Sequence, residues 1–229
     1  GGVWVFPGGI LENQDRLMAT KDYCNGISET EAQKVLNSNS DSLPYWIASL
    51  RETFEETGAL IANRNDNSHF IPTTKESESL IDLRSDLLNG KIAFDSILKG
   101  LALKMALDRL IYVSHWITPK VETKRYTTRF FLTAFNEDHS LSHDGIEGTD
   151  SKWIGVEDAL RANENGSISL IMPTIKNLES ILNYDNTTDL MHAKTKVKSG
   201  DIPAIEPKFF IEDGHWKGLL PGEKGYEDH

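Results

Sequence analysis

The stretch RETFEETGAL, residues 51–60, constrains the fold more than any other part of the chain. Ser42 and Pro44 give helix-start signals upstream and Gly58 a stop signal, so the spacing predicts one helix between them. Trp46, Ile47, Leu50 and Phe54 recur at helical spacing and should form its buried face. Glu52, Glu55 and Glu56 stand at i, i+3 and i+4, so their carboxylates project as one stripe opposite Leu50 and Phe54. That stripe falls in the last turns, where the helix dipole already places partial negative charge and like charges repel. Arg51 can pair with Glu55 at i+4 but cannot neutralise three carboxylates, and no lysine at i+4 relieves them. Two readings follow: a solvated acidic face, or oxygen donors for a divalent cation such as Mg²⁺ or Mn²⁺.

The remaining patterns alternate strands with helices and indicate an α/β layered domain. Val3–Phe6 reads as a strand broken by Pro7-Gly8-Gly9. Ser28-x-x-Glu31 is a capping box for a short helix through Leu36. A polar loop is expected over residues 65–79, then helices at Ser79–Leu88 and Asp95–Leu107. RLIYVSHWIT (109–118) and RYTTRFFLTAF (125–135) read as strands, SKWIGV (151–156) as a third, followed by helices opening at Glu157 and Pro173. From about Lys196 the periodicity is lost, and an extended tail is expected with contacts at Phe209, Phe210 and Trp216.

Charge and cysteine usage narrow the function. A net charge of −11 argues against coating nucleic acid, and an anionic substrate would need a cation to mediate its binding. No apolar run is long enough to span a membrane, and the lone Cys24 suits a reducing compartment. With no secretory or peroxisomal signal visible, an intracellular, cytoplasmic setting is expected. The opening GGVWVFPGG reads like a fragment whose first strands lie upstream.

PGG followed by RETFEETGA resembles the signature of the Nudix hydrolases, G-x5-E-x7-R-E-U-x-E-E-x-G-U, where U is aliphatic. Gly9 matches the first glycine; Arg51, Glu52, Glu55, Glu56 and Gly58 match the core, and Ala59 the final apolar position. Thr53 replaces an aliphatic residue, Asp15 stands at the first glutamate position, and about 28 extra residues separate it from Arg51. Such an insertion resembles the coenzyme A diphosphatase branch, as do HWITP, RYTTRFF, DGIEGTDSKWIGVEDAL and MPT downstream. The resemblance implies an α/β/α sandwich with a mixed sheet, lacking its first N-terminal strands, over residues 1–195, with an insertion at 10–43 and a tail at 196–229.

It also implies a metal-dependent hydrolase that cleaves the diphosphate of a nucleoside diphosphate derivative, with Mg²⁺ or Mn²⁺ as cofactor. Coenzyme A or acyl-CoA is the leading substrate, giving 3′,5′-ADP and 4′-phosphopantetheine or its acyl form. ADP-ribose, a dinucleotide, or a non-catalytic ligand-sensing role are the alternatives. Glu52, Glu55 and Glu56 would ligate metal, with Glu52 first choice to deprotonate water and Arg51 orienting a glutamate. Glu147 is the choice for an additional ligand, with Asp144 second. Gly8 and Gly9 would let the loop turn against the helix. Arg125 and Arg129, four apart on one strand, either meet substrate phosphates or decorate a surface, while His115 and Trp116 either contact an adenine or pantetheine portion or leave the Trp buried in the core. His139 and His143 flank an acidic loop, and a metal site there is discounted.

Overall fold

The computed structural model describes residues 2–135, 150–196 and 201–228. Its helices are α1 (Asn13–Leu17), α2 (Glu29–Leu36), α3 (Leu43–Thr57), α4 (Thr74–Leu88), α5 (Phe94–Gly100), α6 (Val156–Glu164), α7 (Met172–Glu179) and α8 (Thr187–Thr195). Its strands are β1 (Cys24–Asn25), β2 (Ala62–Arg64), β3 (Leu103–Ala106), β4 (Ile111–Ile117), β5 (Thr127–Leu132), β6 (Ala204–Ile205), β7 (Lys208–Glu212) and β8 (His215–Leu219). They form a mixed sheet β1-β3-β2, a second mixed sheet β5-β4-β6, and the hairpin β7-β8.

Helix α3 is built as its sequence demands. Trp46, Ile47, Leu50 and Phe54 are each at most 2% exposed. They meet an apolar cluster that includes Phe94, Ile97 and Leu98 of α5 and Met105 of β3, with Phe54 and Phe94 rings 5.8 Å apart. Gly58 closes the helix at φ +81°, where its amide bonds to Phe54 O and a side chain would be strained. Arg84 of α4 adds a second C-terminal cap by donating Nε–H to Glu55 O.

The N-terminal cap comes from an unexpected source. Ser42 makes no side-chain cap; instead the Glu29 carboxylate of α2 accepts from the Ser42 and Leu43 amides at 2.8 and 2.9 Å. The segment 10–43 therefore braces α3 from outside it. Replacing Glu29 by alanine removes an anionic cap and is expected to cost about 1 kcal/mol, read as a lower urea midpoint at unchanged slope.

Sheet β5-β4-β6 carries helices on both faces. Across β4 and β5, Tyr112 pairs with Phe131 and His115 with Arg129, and this face meets α3: Phe131 lies 4.8 Å from Trp46. The alternate positions face α7, where Ser114 Oγ donates to Asn177 Oδ1 at 2.7 Å. A register shift between Tyr112 and Ser114 keeps Tyr112 and His115 on the same side despite their odd spacing.

Several expected elements differ. Helix α4 begins at Thr74, within the expected loop, because Thr73-x-x-Glu76 forms a capping box. The helix expected over Asp95–Leu107 ends at Gly100; Ala102 turns to φ +53° and Leu103–Ala106 becomes β3. Val3–Phe6 forms only a bridge from Trp4 to Leu170, and SKWIGV is not a strand, with Trp153 72% exposed. Arg125 precedes β5, so the face it was expected to share with Arg129 does not form. In the C-terminal stretch β6 runs parallel to β4, and β7-β8 close on Asp213-Gly214, both at positive φ. Among the described residues no helix is long and apolar enough to cross a membrane.

Candidate functional site

Loop and helix meet although some thirty residues intervene. A Cβ built on Gly9 would lie 2.3 Å from Glu52 Oε1, so any larger residue there would displace that carboxylate. Gly8 N donates to Glu56 Oε2 at 3.3 Å.

Arg51 organises what surrounds this contact. The side chain is 1% exposed, and its guanidinium has five oxygen contacts at 2.8–3.1 Å, matching its five N–H donors. Nε and Nη2 hold both oxygens of Asp15 in a bidentate pair, and Nη2 also reaches Ile10 O. Nη1 lies 3.0 Å from Glu52 Oε1 and from Glu55 Oε2. One cation thus ties α1, the glycine loop and two glutamates of α3 together. Asp15, itself fully buried, completes α1 by accepting from the Glu12 amide. Its spacing of 36 residues from Arg51 is closed by the folding of the insertion.

The electrostatics fit this crowding. Burial lowers the Arg51 affinity for its proton, but Asp15, Glu55 and Glu52 outweigh it and the pKa is raised. Burial raises Glu55 to about 7; Arg51 opposes the shift and Glu52 adds to it. Glu52 is raised in the same direction, chiefly by burial, against the pull of Arg51.

The three carboxylates of α3 are each engaged in part by protein donors. Among the described residues no three His, Cys, Asp or Glu side chains converge as a metal set. Arg51 holds an oxygen each of Glu52 and Glu55, and the Gly8 amide donates to one oxygen of Glu56, so Glu52 and Glu55 each keep an oxygen for a cation. What remains is a carboxylate pair on one nitrogen with its charge underneutralised. That donor set fits Mg²⁺, which commonly takes one or two carboxylates and completes its shell with water and substrate phosphate.

The other candidates are dispersed. Arg125 pairs with Glu206 at 2.5 Å and donates to Thr118 O. Arg129 stacks on the Tyr45 ring at 4.0 Å, opposite His115, whose Nε2 lies 2.6 Å from Thr127 Oγ1. Burial and the Arg129 charge both lower the His115 pKa. Glu147, Asp144, His139 and His143 lie outside the described residues. Sequence reasoning missed Asp15 as the buried partner of Arg51 and Glu29 as the cap; the first had a signal, a carboxylate at the motif's first acidic position.

A family model of the NUDT19 Nudix domain matches residues 25–181, more than two thirds of the chain. The chain is 26% identical over 220 residues to the acyl-coenzyme A diphosphatase NUDT19 of Xenopus laevis, covering 82% of this chain and 57% of that protein. It is 23% identical over 224 residues to a putative nudix hydrolase 7 of Caenorhabditis elegans, covering 98% of this chain and 64% of that protein. It therefore spans about three fifths of the length of these curated relatives. The crystal structure of a NUDIX hydrolase from Alicyclobacillus acidocaldarius superposes with a TM-score of 0.66 at 24% identity, covering 87% of this chain and 83% of that one, which shows a shared fold.

Proposed function

The chain belongs to the Nudix family, in the branch represented by the NUDT19 Nudix domain, and from that premise we propose that it is a metal-dependent diphosphatase. Its preferred substrate is coenzyme A or acyl-CoA, cleaved by water to 3′,5′-ADP and the phosphopantetheine. The observation that carries the reading is the Glu52–Glu55 pair, fixed on Arg51 and packed under Gly9. The substrate follows from the branch, since the Xenopus relative is named for acyl-coenzyme A.

A divalent cation held at the Glu52–Glu55 pair would neutralise diphosphate charge and acidify an attacking water. The chain's own residues supply position and a proton acceptor. Glu52 stays first choice to accept the water proton, with Glu55, whose carboxyl is pushed to about 7 in the metal-free protein, as its neighbour on the same nitrogen. Arg51 holds both carboxylates in place, and Gly8 and Gly9 bring the loop backbone onto Glu56 and Glu52. His115 and Arg129 complete the substrate-facing set.

Turnover of coenzyme A, acyl-CoA, ADP-ribose and a dinucleotide in Mg²⁺ and Mn²⁺, with products identified by mass, tests the reading. Preference for ADP-ribose or a dinucleotide would replace the substrate, and no turnover with tight binding would make the chain a ligand sensor. Within the same assay, Gly9→Ala should lower activity about 100-fold while stability changes by under about 0.5 kcal/mol. The added methyl meets the flexible end of Glu52, so the carboxylate moves and the fold does not.

A further inference from the structure

Glu55 is held at both its side chain and its main chain. The carboxylate lies 3.0 Å from Arg51 Nη1, and the backbone carbonyl accepts from Arg84 Nε at 2.9 Å. Arg51 belongs to the same helix, so its grip orients the carboxylate without locating the helix end. Arg84 belongs to α4 and is only 9% exposed. It ties the last turn of α3 to a neighbouring helix.

That turn needs a donor from outside α3. Thr53 O accepts from Thr57 Oγ1 at 2.5 Å, and Phe54 O from the Gly58 amide at 2.8 Å. In a continuing helix the Ala59 amide would bond to Glu55 O, but Gly58 turns the chain away at φ +81° and Ala59 N donates to Thr57 Oγ1 instead. Arg84 fills the place this leaves. The last turn also has no basic residue of its own, so Glu55 and Glu56 add to the negative end of the helix dipole. Arg84 brings a cation there, with Nη1 3.5 Å from where a Gly58 side chain would begin.

We infer that Arg84 is a positioning residue for the diphosphatase site: through the Glu55 main chain it fixes the turn of α3 that carries Glu55 and Glu56. The inference rests on the diphosphatase reading and deepens it, adding a residue of α4 to the machinery. Without the Arg84 donor the last turn frays, and the Glu55 carboxylate leaves its place beside Glu52 more often. The pair then holds a divalent cation less well, whereas substrate contacts made once the cation is bound do not change.

Mn²⁺ binding to the chain without substrate, read from the paramagnetic resonance signal of the free ion, tests this apart from turnover. Arg84→Met, which keeps the apolar stem, should weaken Mn²⁺ binding about 10-fold, the scale for losing a group that holds a metal ligand in place. Amide exchange at Gly58 in EDTA should speed up in the same variant. Arg84→Gln, too short to reach the carbonyl, carries the same expectation, so the test does not depend on the methionine variant folding. Arg84→Lys, which keeps a cation and a donor, should recover most of the affinity. Glu29→Ala, which uncaps the other end of α3, should bind Mn²⁺ as wild type does and so separates positioning from general weakening of the helix. In turnover, the Mg²⁺ concentration for half-maximal rate should rise in Arg84→Met while KM for coenzyme A at saturating Mg²⁺ stays put. Wild-type Mn²⁺ affinity in Arg84→Met and Arg84→Gln, or an equal loss in Glu29→Ala, overturns the inference and leaves the diphosphatase reading standing. No Mn²⁺ binding and no turnover by the wild-type chain removes both.

Discussion

Arg51→Ala is expected to unfold the protein roughly 10 °C earlier and to abolish turnover. The reasoning begins with Asp15, which is fully buried and whose two oxygens are both held by Arg51. Removing one member of a buried pair leaves an uncompensated charge and costs about 3–5 kcal/mol, or about 2–4 °C per kcal/mol in a chain of this size. The same change frees Glu52 and Glu55 from their common nitrogen and releases Ile10 O. Calorimetric melts check the first effect and steady-state assays the second. A double variant, Asp15→Leu with Arg51→Leu, separates them. It replaces the pair by apolar groups, so stability should return in large part while activity stays lost. If the double variant is as unstable as Arg51→Ala, the buried pair is not the source of the loss.

This dependence on one long-range pair explains what the sequence could and could not reveal. Helix α3 was legible because its signals are local: Pro44 and Gly58 at the ends, Trp46, Ile47, Leu50 and Phe54 at one period. Its acidic stripe was legible for the same reason. Glu29 at its N-terminus was not, and Asp15 was marked only by its place in the motif, because capping and pairing across the insertion are set by tertiary packing, to which periodicity is blind. Leu103–Ala106 carried no strand signal of its own; it becomes β3 because β1 and β2 flank it. The hairpin at Asp213-Gly214 was available, since Asp-Gly between apolar runs is the strongest short-range hairpin signal. SKWIGV had strand composition but has no partner among the described strands, and composition without a partner does not make a strand.

Glu55→Gln should reduce kcat by about 10²- to 10³-fold and leave the metal-free fold intact or firmer at alkaline pH. The first effect follows from the loss of one carboxylate of the Glu52–Glu55 pair, the second from the carboxyl being pushed from 4.5 to about 7 by burial, with Arg51 opposing the shift and Glu52 adding to it. A carboxyl raised on folding contributes stability below its unfolded pKa, and that contribution is lost as pH rises through the folded value. Between about pH 4.5 and 7 the wild-type, metal-free protein therefore loses stability that the glutamine variant, which does not titrate, keeps. Melts in EDTA should show the variant gaining on wild type from pH 5 to pH 8. Adding Mg²⁺ reverses the order for wild type alone: a cation at the ionised pair binds the folded state, so its stabilisation should be large at pH 8 and small at pH 5.5. The variant should respond weakly at both. Full activity in Glu55→Gln would remove Glu55 from the chemistry. An equal Mg²⁺ response in the two proteins would remove it from the metal site, and the acidic stripe of α3 would then be only a solvated face held by Arg51.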